Sequence, residues 1–355
     1  MTIDAGPRLG RLTEDQLRRA LDRFGLGALR SATPASGGHS GQNLVLSTDT
    51  GDHLLRGNPA YPWQLPTERY FADLLARRAA LPAPVPYRID PGTDVFGWSY
   101  AILPRLPGEP LPDSDVRGGL NDSGQREVAG ELGRVLARAH TVTGPRPGRW
   151  RPEADDVLPF TLAGELDWPS RQPGAGPAIT WRERVIRRCL GTLHGATRFG
   201  PATTPGDLAW AGRILDAAGP ALDAPFTPTV VLEDFKPGNV HITGTAGRWS
   251  VSGLFDLTDA YFGDAEADLP RMLCSYLDAD PALARVYLGS YVAARPARPG
   301  ALARFPAYLL ADRALVWSFL QRHHLRYWPE TWTFTDWAGR YLDLAHPVVA
   351  ELFPS

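Results

Sequence analysis

Lysine is almost missing from this 355-residue chain: of its 37 Lys and Arg residues, only Lys236 is a lysine. Cysteine is nearly as scarce. The two that occur, Cys189 and Cys274, fall in helix-patterned segments without metal-ligand spacing, so buried free thiols are expected. No apolar run reaches the ~18 residues a membrane span needs, and no charged-then-apolar segment opens the chain. Neither sign of charge dominates. The net charge of −2 provides no footprint for nucleic acid or an anionic bilayer. These absences lead us to expect a soluble cytoplasmic protein, monomer or weak dimer, with neither a nucleic-acid nor a membrane partner.

The composition is otherwise that of a folded protein, 43% hydrophobic and 10% aromatic, and the length exceeds what one core usually supports. Two lobes follow, 1–105 and 106–355. In the first, Thr13 is placed to cap a helix over 11–30, followed by strands over 31–36, 43–48 and 52–56. An amphipathic helix near 66–79 and strands over 86–89 and 98–103 complete a sheet of about five strands. After Leu106-Pro107-Gly108 the pattern turns helical, over 125–141, 181–192, 207–217 and beyond Glu266. Residues 144–180, rich in Pro and Gly, look like an insertion that is mobile around 172–176.

The single lysine stands in Leu232-Glu233-Asp234-Phe235-Lys236-Pro237-Gly238-Asn239. An Asp, a Lys two residues on and an Asn three further is the spacing of a phosphoryl-transfer loop, in which an acid orients the attacking hydroxyl, an ammonium meets the phosphoryl group and an amide helps hold a metal. β-Branched Thr229–Leu232 should lead into the loop as a strand. Strands over 240–242 and 249–255 should return to Asp256, bringing Asp234, Asn239 and Asp256 to one end of a ribbon. Two carboxylates and an amide oxygen suit Mg²⁺, a hard ion that takes oxygen ligands.

These residues, with Gly263-Asp264 and Asp268-Leu269 downstream, resemble the aminoglycoside phosphotransferase family, whose fold is similar to that of protein kinases. Phe255–Asp264 and Glu131–His140 look most like its hygromycin B phosphotransferases. The resemblance implies an α+β bilobal fold, with a small five-stranded N-lobe and a larger, mainly helical C-lobe. It implies ATP or GTP with Mg²⁺ as cofactors. Asp234 would be the catalytic acid–base group, Lys236 a neighbour of the γ-phosphate, and Asn239 and Asp256 the metal ligands. Asp264 would brace the catalytic loop. Gly38, Ser40 and Gly41 would cover the phosphates, and the purine would lie against Pro104 and Leu106. Pro104 has no N–H, so the base must use its carbonyl or the N–H of Leu106.

Three positions depart from the family pattern: Leu232 for the usual loop histidine, Glu233 for a glycine or arginine, and Arg56 for the lysine that meets the α- and β-phosphates. Arg56, with Glu68 as partner, keeps the charge and can grip phosphate with two N–H groups. Glu233 would draw in a cationic substrate or pair with an arginine.

On the acceptor side, Asp259, Glu266, Asp278, Asp280, Glu330 and Asp336 could form an acidic cleft. The aromatics between Trp317 and Trp337 could form sugar platforms, Trp332 among them, or could pack as core. The leading expectation is a kinase of a hydroxyl on an aminoglycoside or related sugar-containing antibiotic. A kinase of a metabolic amino alcohol or sugar is the alternative, and a catalytically weak pseudokinase-type binding module comes third.

Overall fold

The computed structural model describes residues 2–6, 8–35, 43–111, 119–162, 176–245 and 248–353. The chain forms two compact units, 1–121 with 237–260 and 122–236 with 261–355.

The first unit opens with a ribbon of β1 (Thr2–Asp4) against β2 (Arg11–Thr13), for which the residue pattern carried no clear signal. Helix α1 (Glu14–Phe24) starts where Thr13 accepts the Gln16 N–H and Gln16 accepts the Thr13 N–H in return. It is shorter than the expected 11–30 because Gly25 takes the left-handed conformation at φ 63° and closes the helix.

Strands β3 (Leu29–Pro34), β4 (Asn43–Thr48), β5 (Asp52–Gly57), β6 (Arg88–Asp90) and β7 (Tyr100–Pro104) form an antiparallel sheet in the order β3-β4-β5-β7-β6. Helix α2 (Gln64–Ala79) lies between β5 and β6 in sequence. The alternation along β4 sends Leu44 and Leu46 inward, where they meet Leu17 and Leu21 of α1, Leu55 of β5 and Ile102 of β7. β8 (Glu109–Pro110) ends this stretch.

The second unit starts with α3 (Asp122–Ala139) and a hairpin of β9 (Arg149–Arg151) and β10 (Asp156–Leu158), inside the expected insertion. Of the segment expected to be mobile, 172–176, residues 172–175 lie outside the described residues. Helices α4 (Trp181–Ala196) and α5 (Pro205–Leu222) follow, then β11 (Thr229–Val231). The next segment belongs to the first unit: β12 (Val240–Thr245) pairs with β13 (Arg248–Leu254) on one side and β8 on the other. The chain ends in the second unit with β14 (Tyr261–Gly263), α6 (Leu269–Ala279), α7 (Pro281–Ala294), α8 (Ala301–Arg322) and α9 (Phe334–Leu352). β14 pairs with β11, Val230 opposite Phe262. Cys189 in α4 and Cys274 in α6 are buried free thiols, as expected. Among the described residues no helix is long and apolar enough to cross a membrane.

Most aromatics of the last third are core. Trp317, Phe334, Trp337 and Tyr341 are buried and stacked edge to face, while Tyr327 and Phe319 remain exposed. Two glycines bring α3 against α7. A Cβ on Gly133 would run into the Tyr287 carbonyl oxygen and stand 2.9 Å from the Tyr291 nitrogen. Alanine would gain about 1 kcal/mol in helix propensity, but overpacking against a fixed backbone costs about 1–3 kcal/mol. Gly133→Ala should therefore lower the melting temperature by several degrees, at roughly 2–4 °C per kcal/mol. A raised melting temperature in calorimetry would show that the α3–α7 seam has slack.

Candidate active site

The candidate catalytic loop leaves β11, whose three residues are all buried, and turns sharply at Glu233, at φ 65°. A non-glycine residue holds that conformation only when its surroundings enforce it. Here the Leu232 and Glu233 N–H groups donate to the two oxygens of Asp268, at 2.6 and 2.8 Å. Asp268 is buried just ahead of α6, and His140 Nε2 lies 3.2 Å from its Oδ2. Arg188 of α4 binds the Glu233 carboxylate, so this acid pairs with an arginine.

The loop-bracing role expected of Asp264 thus falls to Asp268. Asp264 instead accepts from Tyr308, Arg298 and the Glu266 N–H. Leu232 packs in the interior, and His140, just past the end of α3, contacts the Asp268 that holds the turn.

Asp234 is gripped from two directions. Arg271 of α6 donates Nε (2.8 Å) and Nη2 (2.5 Å) to Oδ1, and Lys236 donates Nζ to Oδ2 at 2.6 Å. The far side of Arg271 lies 3.4 Å from Asp312 Oδ1 on α8. Burial pushes the Asp234 carboxyl up, but the Arg271 and Lys236 charges outweigh it and leave the group below its ordinary value. Asp234 is therefore a carboxylate at neutral pH, suited to orienting a hydroxyl more than to holding a proton.

In the first unit, Arg56 of β5 is the centre of a second cluster. Its Nε meets Glu68 of α2 at 2.7 Å, its Nη2 meets Asp256 at 3.0 Å, and its Nη1 donates to Asn43 at 3.3 Å. Tyr87 donates to the same Glu68 oxygen at 2.8 Å. Burial acts to lower the Arg56 guanidinium, and Glu68 and Asp256 more than reverse it, so the net shift is upward.

The β12–β13 register places Val240 opposite Leu254, and the Phe255 N–H donates to the Asn239 carbonyl at 3.0 Å. Asn239 and Asp256 therefore share one end of this hairpin. Asp256 is left-handed at φ 57°, and its side chain is 43% exposed. A part-exposed carboxylate and an amide residue at one hairpin end are oxygen donors of the kind that fits Mg²⁺, which usually takes one or two carboxylates and fills its shell with water and phosphate. Among the described residues no three His, Cys, Asp or Glu side chains gather as an all-protein metal cage.

Gly38, Ser40 and Gly41 lie outside the described residues. Pro104 ends β7 opposite His53, and Leu106 is half-buried just beyond. Asp259 is half-buried in the short turn after Asp256. Trp332 is half-buried, its N–H donating to the Pro329 carbonyl.

Glu266, expected at the substrate, is instead enclosed, with Arg304 Nε and Nη2 each at 2.9 Å and the Arg298 N–H at 3.0 Å. Its burial removes it from any acceptor surface. Reading the sequence also missed Arg271, Arg188 and the link from His140 to the loop. The Asp268–Arg271 spacing, one helical turn, was the available signal for the first of these.

Residues 31–305 match the model of the phosphotransferase enzyme family. The chain belongs to that family, which includes the aminoglycoside phosphotransferases. It is a nucleotide-dependent phosphotransferase acting on a small molecule. Among solved structures it is similar to a thermostable mutant of aminoglycoside phosphotransferase APH(4)-Ia in complex with ADP and hygromycin B. Identity there is 17% and the TM-score 0.58, over 94% of this chain and 98% of that one. A putative aminoglycoside phosphotransferase from Ralstonia eutropha is 16% identical, with a TM-score of 0.61 and coverage of 95% and 97%. A putative fructosamine-3-kinase from Thermobifida fusca is 22% identical, with a TM-score of 0.58 and coverage of 93% and 100%. At these identities the likeness establishes the kinase-like fold. No curated protein matches the chain.

His140, which contacts Asp268 behind the turn, makes stability depend on pH. Burial is the main influence on His140 and lowers its imidazole below 6.5, with Asp268 opposing. Its folded pKa being below its unfolded one, the unfolded chain binds the extra proton first. The stabilisation is complete above about pH 6.5 and is lost as the pH falls below it. Urea midpoints of the wild type should drop between pH 7.5 and 5.5, and the drop should shrink in His140→Gln. Equal slopes in the two proteins would remove His140 from this account.

Proposed function

We propose that this enzyme transfers the γ-phosphoryl group of ATP or GTP to a hydroxyl of an aminoglycoside or related sugar-containing antibiotic, as a resistance or self-protection activity in the cytoplasm. The observation that carries the reaction type is the ionised Asp234 carboxylate with the chain's only lysine 2.6 Å away. The acceptor oxygen bonds to the γ-phosphorus as the bond to the departing nucleoside diphosphate breaks. Asp234 orients the hydroxyl and accepts its proton late, so a depressed carboxylate suffices in a loose transition state. Lys236 stabilises charge on the transferred group, and Arg56 meets the α- and β-phosphates. Asn239 and Asp256 would hold Mg²⁺, which supplies positive charge at the phosphate oxygens.

One observation favours the second reading, a kinase for a neutral or weakly basic sugar or amino alcohol. Several acids that could have bound a polycation are already engaged. Asp278 holds Arg340 and Tyr341, Asp280 caps α7, Asp336 caps α9, and Glu266 is enclosed. Mass spectrometry of reactions with Mg²⁺ and ATP or GTP, across aminoglycosides, neutral sugars and amino alcohols, separates the two. A phosphorylated aminoglycoside supports the first, and product formed only from weakly charged acceptors supports the second.

With whichever acceptor reacts, Asp234→Ala should lower kcat by at least about a hundredfold and leave nucleotide binding in place. Near-full turnover would refute the assignment of Asp234. Lys236→Ala should lower kcat by about ten- to a hundredfold with little change in nucleotide KM. An unchanged kcat would make Lys236 a solvated loop residue.

A further inference from the structure

Asp268 and Arg271 are three residues apart at the start of α6, which puts them on one face of the helix. Asp268 takes the main chain of the catalytic loop and Arg271 takes the Asp234 side chain. A single helical turn therefore holds both the backbone and the business end of the loop.

The two cations on Asp234 differ in how they are held. The Lys236 side chain is 40% exposed and offers one ammonium on a flexible stem. Arg271 is 19% exposed and bridges Asp234 to Asp312. Asp312 is itself gripped by Arg313, through Nε at 2.9 Å and Nη2 at 2.6 Å. The Arg313 guanidinium lies over the rings of Trp337 and Tyr341, at 5.4 and 4.8 Å, in the buried aromatic core. The bond to Lys236 can be exchanged for another partner, whereas the bond to Arg271 is anchored through α8 to α9.

We propose that Arg271 is a positioning residue for phosphoryl transfer: it keeps the Asp234 carboxylate aimed and its charge balanced while Lys236 leaves it for the transferred phosphate. This rests on the roles given above to Asp234 and Lys236. Without Arg271, Lys236 would carry more of the charge balance of a part-buried carboxylate, so it would leave Asp234 less readily and the transfer would slow. An arginine that merely stabilised the fold would alter the melting temperature and spare the kcat of the folded enzyme.

The test uses the full chain with Mg²⁺ and ATP or GTP alone, read as phosphate released to water, so that no acceptor need be known. Arg271→Gln should lower kcat by about ten- to a hundredfold, with nucleotide KM within about twofold. Arg271→Lys, which keeps the charge but cannot bridge Asp234 and Asp312 together, should fall between the two. Amide hydrogen exchange over 232–236 should quicken in both variants.

A folded Arg271→Gln with wild-type kcat and unchanged exchange would overturn the proposal. Should the Gln variant not fold, Arg271→Lys decides: a loss of about three- to tenfold supports the proposal, and a wild-type kcat overturns it. A wild type that releases no phosphate would count against the reading of function. The exchange data would then judge Arg271 alone, with faster exchange supporting its role and unchanged exchange overturning it.

Discussion

A buried acidic side chain that accepts two consecutive backbone N–H groups sets the geometry of the loop that leads into Asp234. A side chain buried as deeply as Asp268 needs hydrogen-bond partners, since an unsatisfied polar group in the interior costs about 1–3 kcal/mol. It finds them in Leu232, Glu233 and His140. Hydrogen bonds to charged groups contribute about 1.5–3 kcal/mol each, enough to hold Glu233 in a backbone conformation that costs of order 1–3 kcal/mol. The direction in which Asp234 leaves the turn is a consequence of that balance.

The same logic explains how a chain nearly without lysine places its cations. Arginine carries a rigid fork of donors and keeps its charge when buried, so one guanidinium can tie two acids at once. Arg56 does so between Glu68 and Asp256, Arg271 between Asp234 and Asp312. Such bridges suit fixed scaffolding. Lys236 contrasts with them: it is a compact ammonium on a flexible stem, 40% exposed and paired with Asp234.

What could be read from the residues divides by the range of the interactions involved. The strands over 43–48 and 52–56 were legible because two strand-like runs flank a tight Asp-Thr-Gly-Asp turn, and Thr13 because a cap is a local bond. The expected helix over 11–30 overran because its apolar pattern continues past Gly25, where the backbone turns left-handed. The Asp234–Asn239 spacing was visible as a motif. The Arg56–Glu68 pair was anticipated, but not its third member, Asp256, two hundred positions away. Several acids assigned to a cleft carried a local signal for a different role. Thr333-Phe334-Thr335-Asp336 has the spacing of a capping box, and Asp280 stands directly before a proline that opens a helix.

Of the non-glycine residues in the left-handed region, Glu233 directly precedes Asp234 and Asp256 ends the β12–β13 hairpin, and both are acids. A short acid such as Asp256 reaches this region with modest strain because its side chain can bond locally, here to the Thr258 hydroxyl at 3.1 Å. Glu233 lacks that help and is held at both ends, by Asp268 at its N–H and by Arg188 at its carboxylate. Glycine at this position would relieve the backbone strain and abolish the second anchor. The loop would then reach its functional geometry as one conformation among several, so the strain at Glu233 is the counterpart of the order that Asp268 and Arg188 impose.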